Sequence, residues 1–124
     1  RYGLRKSGLE KLGEPDEVSA DLFSFHPADY AILGGIWGLE GDRSVHHNVV
    51  IAAVNAVAVD AVGAAVMGFD PAEVGALDMA ERNGFGSRDI DLMWIRANEI
   101  EPAKRAFQQP DGWTKARSKP GKQP

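Results

Sequence analysis

Apolar positions along the chain come in short runs cut by glycine and proline, and their spacing alternates between helical and extended. Val18, Leu22 and Phe25 recur at helical intervals behind Pro15, Asp16 and Glu17, which suit the first turn of a helix. His26-Pro27 ends that helix, because the residue before proline avoids helical geometry. Tyr30 to Leu33 reads as a short strand closed by Gly34-Gly35. Val49 to Val54 is apolar and mostly β-branched, as a strand buried on both faces would be. Asn55 is placed to cap a helix from Ala56 to Met67 that is apolar almost all round, and Gly68 closes it. Asp70-Pro71-Ala72-Glu73 starts a further turn, broken by Gly75, and Leu77 to Asn83 gives another short helix stopped by Gly84. Ile90 to Ala97 is the third strand candidate, and Pro102 to Phe107 adds a last helical turn or two.

Strands alternating with helices predict an α/β fold. The expectation is a small mixed or parallel sheet with helices packed on it, a fragment of a larger α/β domain. Its centre is a crossover unit made of strand 49–54, helix 56–67 and strand 91–97. The 124 residues are enough for one domain. The predicted division is a flexible basic arm over 1–13, a single α/β domain over 14–109 and a disordered basic tail over 110–124. The chain starts at Arg1 rather than at a methionine, as expected of a piece of something longer.

Composition narrows the function classes. The net charge of −4 argues against nucleic-acid binding, which needs a basic face. The basic residues Lys115, Arg117, Lys119 and Lys122 gather in the tail and leave the rest of the chain acidic. No apolar run is long enough for a membrane span and no secretory signal opens the chain, so a cytoplasmic protein without a membrane partner is expected. The absence of cysteine excludes disulfides, thiolate metal sites and cysteine nucleophiles within this chain.

Candidate chemistry concentrates in the glycine-rich stretch 34–48, read as a loop, and in the helix after it. Open α/β sheets bind ligands beyond the carboxyl ends of their strands, which is where this loop lies. Asp60 is the sharpest anomaly, a carboxylate among Val57, Ala61 and Ala64. Burial would require it to be paired or hydrogen-bonded, either pinning the glycine loop or acting directly on a ligand or proton. Glu40 is a general base, a ligand contact or an ordering group of the turn. Gly35 and Gly41 allow close backbone approach, and Trp37 offers a flat surface either for a ligand or for packing. His46 and His47 are adjacent, so in an extended segment they face opposite ways and at most one serves a given site. With Glu40 and Asp60 they show no recognised ligand spacing, and no metal site is assigned. The candidate set is therefore Glu40 and Asp60 as catalytic residues, with Gly35, Trp37, Gly41, His46 and His47 binding a ligand.

Four separated motifs occur in an order that resembles the uncharacterised domain-of-unknown-function family 362. They are Ile32-Leu-Gly-Gly-Ile-Trp-Gly-Leu-Glu-Gly41, the stretch from Asn55 to Pro71 with its Ala-Val-Asp60 and Gly68-Phe-Asp-Pro71, Ala80-Glu-Arg-Asn-Gly-Phe-Gly86, and the segment ending near Ala97-Asn-Glu99. The likeness covers about residues 28–107. It implies the carboxyl-terminal half of an α/β domain whose relatives are about twice as long. Those relatives are often fused to ferredoxin-type iron–sulfur modules, which implies redox work. Glu40, Gly41 and Asp60 match the family's characteristic polar positions, whereas Gly34 stands where an aspartate is usual and Asp42-Arg43-Ser44-Val45 replaces a glycine–proline segment.

Two functions follow as expectations. One is a redox-associated or small-molecule-binding α/β domain with its polar site at 34–48 and Asp60. Its cofactor is unknown, and no iron–sulfur cluster is held by this cysteine-free chain. The other is a non-catalytic module that packs against a missing amino-terminal half or against a second copy of itself.

Overall fold

The computed structural model of the protein describes residues 15–113. The expected arm at 1–13 and most of the expected tail lie outside that range. The elements run α1 (Pro15–Phe25), β1 (Ala31–Glu40), β2 (Arg43–Ala53), α2 (Ala56–Val66), α3 (Gly75–Arg82) and α4 (Ile100–Ala103), with 3-10 turns at Pro71–Glu73 and Ile90–Leu92. The fold is a small α/β one, as expected: a two-stranded antiparallel sheet with four helices packed around it.

The crossover unit does not form. Residues 90–97 contain a 3-10 turn and then irregular chain, not a strand, and among the described residues the sheet consists of β1 and β2 alone. The expected loop 34–48 is the middle of a β-hairpin. Gly34 and Gly35 lie inside β1, paired with Val50 and Val49, and the chain reverses only between Glu40 and Arg43. Gly41 supplies the left-handed φ of 60° that a two-residue hairpin loop needs at its first position.

Helix α2 forms where the sequence places it. Asn55 Oδ1 accepts the Ala58 N–H at 3.0 Å, and Gly68 at φ 83° closes the far end. The Asn55 amide also donates to the Phe85 carbonyl at 2.9 Å, tying the loop after α3 to the start of α2. Val57, Ala61, Leu77 and Ala80 form the core between α2 and α3, with Val74, Phe85 and Met93 packed against it. On the sheet side, Leu33 packs over Gly63, and α2 touches both strands. Helix α1 packs on α3, and its Phe23 meets Phe85 edge to face at 5.4 Å. Val18 is buried, but Phe25 is 88% exposed, because the helix presents Phe23 inward instead.

After α3 the chain is held by a buried ion cluster that periodicity does not reveal. Asp78 Oδ1 lies 2.8 Å from Arg88 Nη2, and Asp78 Oδ2 lies 2.7 Å from Arg82. Arg88 Nε also lies 3.4 Å from Glu81. Beyond α4, the Arg105 N–H donates to the Val66 carbonyl and the Phe107 N–H to that of Met67. The last described segment is thereby laid against the C-terminal end of α2. Trp94 is largely exposed with Arg96 over its ring, and Trp113 is half-buried against Phe69.

Candidate functional site

The hairpin has two unlike faces. Along β1, Leu33 lies against Gly63 of α2, Gly35 against Val49 and Gly38 against Phe107, whereas Ile32, Gly34, Ile36, Trp37 and Leu39 are exposed. The register departs from regular pairing between Gly35 and Trp37: Gly35 faces Val49 but Trp37 faces His46, so β2 spends one extra residue there. Asn48 takes up that residue at φ 63°, a conformation asparagine tolerates better than most. Past this bulge, Gly38 resumes the inner face, where a β-carbon would sit 2.6 Å from the Phe107 ring.

The exposed positions of the hairpin strands β1 and β2 include several large apolar side chains. Ile32 is 68% exposed, Trp37 64%, Leu39 72% and Val50 65%. Across the strands Ile32 pairs with Ala52, Gly34 with Val50, Trp37 with His46 and Leu39 with Ser44. None of these positions is charged. The His46 ring lies against Trp37 with 4.6 Å between centroids.

The two histidines diverge as an extended segment requires. His46 lies on the outer face, while His47 turns inward. Its Nε2 lies 2.7 Å from the Ala103 carbonyl, so it is the donor, and its ring lies 5.3 Å from that of Phe107. Arg105 donates to the His46 carbonyl. Residues 103–107 therefore close off this end of β2.

The predicted polar site is not assembled in one place. Glu40 ends β1 at the hairpin tip opposite Arg43, and Gly41 follows in the turn. Gly35 faces inward against Val49. Asp60 lies on the exposed side of α2, not in its buried stripe, and among the described residues it has no hydrogen-bond or ion-pair partner. It does not pin the glycine stretch: α2 is slim and buries its other side, so residue 60 falls on the helix's open face. Neighbouring apolar surface still shields the carboxyl in part, and this desolvation raises its pKa from the ordinary 3.8. Leu33, beside Gly63, is separated from Glu40 by roughly 24 Å of strand, and Asp60 lies one helical turn toward the opposite end. Glu40 and Asp60 therefore occupy distant parts of the surface. Among the described residues, no group of three or more acidic or histidine side chains is close enough to hold a metal ion.

One large groove is present, of about 860 Å³. It is lined by His47 to Ala53 of β2 and by no residue of β1, so it follows the outer edge of β2. Its floor is the Val59, Val62 and Val66 side of α2, and its far wall is the chain from Met93 to Arg105. Neither Glu40 nor Asp60 lines it.

The glycines of β1 hid the hairpin, since Gly34-Gly35 reads as a break. The available signal was Glu40-Gly-Asp-Arg43, a glycine-led turn pair between two extended apolar runs. No described helix is long and apolar enough to cross a membrane. In comparisons with known proteins, no family model, no curated protein and no solved structure matches this chain.

Proposed function

We propose that this protein is a non-catalytic interaction module that joins a second copy of itself through the outer face of the hairpin. The observation that carries this is the group of uncharged apolar side chains that the hairpin leaves exposed: Ile32, Ile36, Trp37, Leu39 and Val50. Apolar patches of several hundred square ångströms are uncommon on monomers and mark interaction sites. Two such faces can stack without burying a charge, in an isologous pair.

An isolated two-stranded sheet is marginal, so an added layer would complete this one. The likeness to family 362, whose members are longer, is in keeping with a sheet finished by further chain. The reading of Glu40 and Asp60 as a joint catalytic pair has less support, because the two carboxylates share neither a contact nor the groove.

Sedimentation velocity of the whole chain over a wide concentration range tests the proposal. Wild type should shift from monomer to dimer, and Trp37→Lys and Leu39→Glu should remain monomeric with unchanged circular dichroism. Wild type that stays monomeric throughout would refute it.

A further inference from the structure

The outer edge of β2 is a second, separate surface, and its geometry is that of a slot for one more strand. We infer that this slot takes an extended peptide segment of a partner, apolar at alternate positions and acidic where it crosses the Arg96–Lys104 wall. This rests on the reading of the chain as an interaction module, but it uses neither Trp37 nor Ile32, Ile36 and Leu39; Val50 borders both surfaces.

Three observations carry it. First, among the described residues β2 has a strand neighbour on one side only, so alternate backbone N–H and C=O groups along Asn48–Ala53 face the groove without a strand partner there. A free edge of this kind pairs with an extended chain by main-chain hydrogen bonds. Second, the slot is bounded. Arg105 on the His46 carbonyl and His47 on that of Ala103 close its lower end, and residues 93–98 stand opposite β2. Ala97, at φ 77°, helps to turn that wall segment out of strand geometry. The uncovered length, Asn48 to Ala53, is about 20 Å of strand. Its valine floor would receive every second side chain of an added strand, and the other side chains would face solvent.

Third, the wall carries an excess of positive charge. Arg96, Lys104 and Arg105 line it against the single carboxylate of Glu99, with Lys104 paired to Glu101 just outside the lining, so the excess rests on Arg96 and Arg105. Arg96 lies over the Trp94 ring, and neither it nor Arg105 has a carboxylate partner among the described residues. On a chain of net charge −4, this local reversal of sign selects an acidic segment. A small metabolite would use the charges but leave the row of backbone groups unpaired. A strand satisfies both.

The test uses the full chain and a fluorescent eight-residue peptide in which two glutamates precede alternating valine and threonine. Anisotropy gives the affinity, and amide hydrogen exchange gives the location. The inference predicts slowed exchange across Val49–Ala53. It also predicts affinity at least about tenfold above that of a peptide with lysines for the glutamates, with the preference inverted in an Arg96→Glu/Lys104→Glu variant. A version with proline at alternate positions should not bind, since it cannot pair along the edge.

Equal binding of all three peptides, or protection along β1 instead, overturns the slot assignment. If no peptide binds while Trp37-dependent dimers form, the slot is wrong and the module reading stands. Absence of both sinks both. Self-association that survives Trp37→Lys but is lost in Arg96→Glu/Lys104→Glu would place a second copy in the slot and likewise overturn the assignment to a partner peptide.

Discussion

Trp37 and His46 stack across the hairpin, their ring planes 33° apart, with Trp37 largely exposed. His46 also accepts a hydrogen bond at its carbonyl from Arg105, so one residue links the exposed face to the closed end of the β2 groove. The bulge just beyond it, at Asn48, sets this arrangement: it shifts the register so that Trp37 and His46 meet and His47 turns inward.

The buried ion cluster should be the most sensitive part of the fold outside the apolar core. Asp78 and Arg88 are each more than nine-tenths buried. Asp78→Ala leaves the Arg88 guanidinium without its nearest counter-charge and should cost about 3–5 kcal/mol in urea unfolding. Replacing both, as Asp78→Leu with Arg88→Met, should cost far less than the sum of the single changes. Additive losses would show that the two residues do not act as a pair.

Asn55 performs two tasks with one amide. Asn55→Ala removes the cap of α2 and the tie to Phe85, for a loss of about 2 kcal/mol in a thermal or urea melt. Asn55→Asp keeps the acceptor and loses the donor, so it should fall between wild type and the alanine variant. An aspartate variant no better than alanine would mean that the cap contributes little.

The cap was legible in the sequence because it depends on neighbours along the chain, and so was α2. The hairpin was harder to read. Gly34 and Gly35 weaken strand propensity locally, yet pairing with Val50 and Val49 outweighs it, and such pairing is a contact between distant positions. Asp60 misled for a related reason. An apolar helix does not reveal which side is left open, and α2 turns residue 60 to solvent. The Arg88 cluster joins a loop to a helix and leaves no periodic trace. The segment at 90–97 has a strand's composition but no partner strand in the described fold.

Gly38 is required by the close approach of Phe107. A β-carbon there would lie 2.6 Å from the ring, so Gly38→Ala should destabilise by about 1–3 kcal/mol. Adding Phe107→Leu should recover part of that loss relative to Phe107→Leu alone. The check is a double-mutant cycle by urea denaturation, and a zero coupling energy would show that the ring moves aside freely.

Asp60 gives the fold a pH dependence of defined sign. Its folded pKa is raised above the ordinary value of 3.8 by partial burial, so the native state disfavours the charged form. The stability tied to the protonated carboxyl is fully present below the unfolded pKa and is lost as pH rises through the folded one. Asp60→Asn should therefore stabilise the protein at neutral pH, with the gain vanishing below the unfolded pKa. A gain that persists in acid would assign the effect to something other than ionisation.

The central claim, that the outer hairpin face joins two copies, can be tested at a single position. The chain has no cysteine, so Ser44→Cys offers one attachment point, on the outer face beside Leu39. A spin label there should give a defined inter-copy distance by pulsed dipolar spectroscopy at concentrations where the dimer forms. That signal should disappear on dilution and in the Trp37→Lys background. A folded, labelled chain that shows no dipolar coupling at any concentration would contradict the account.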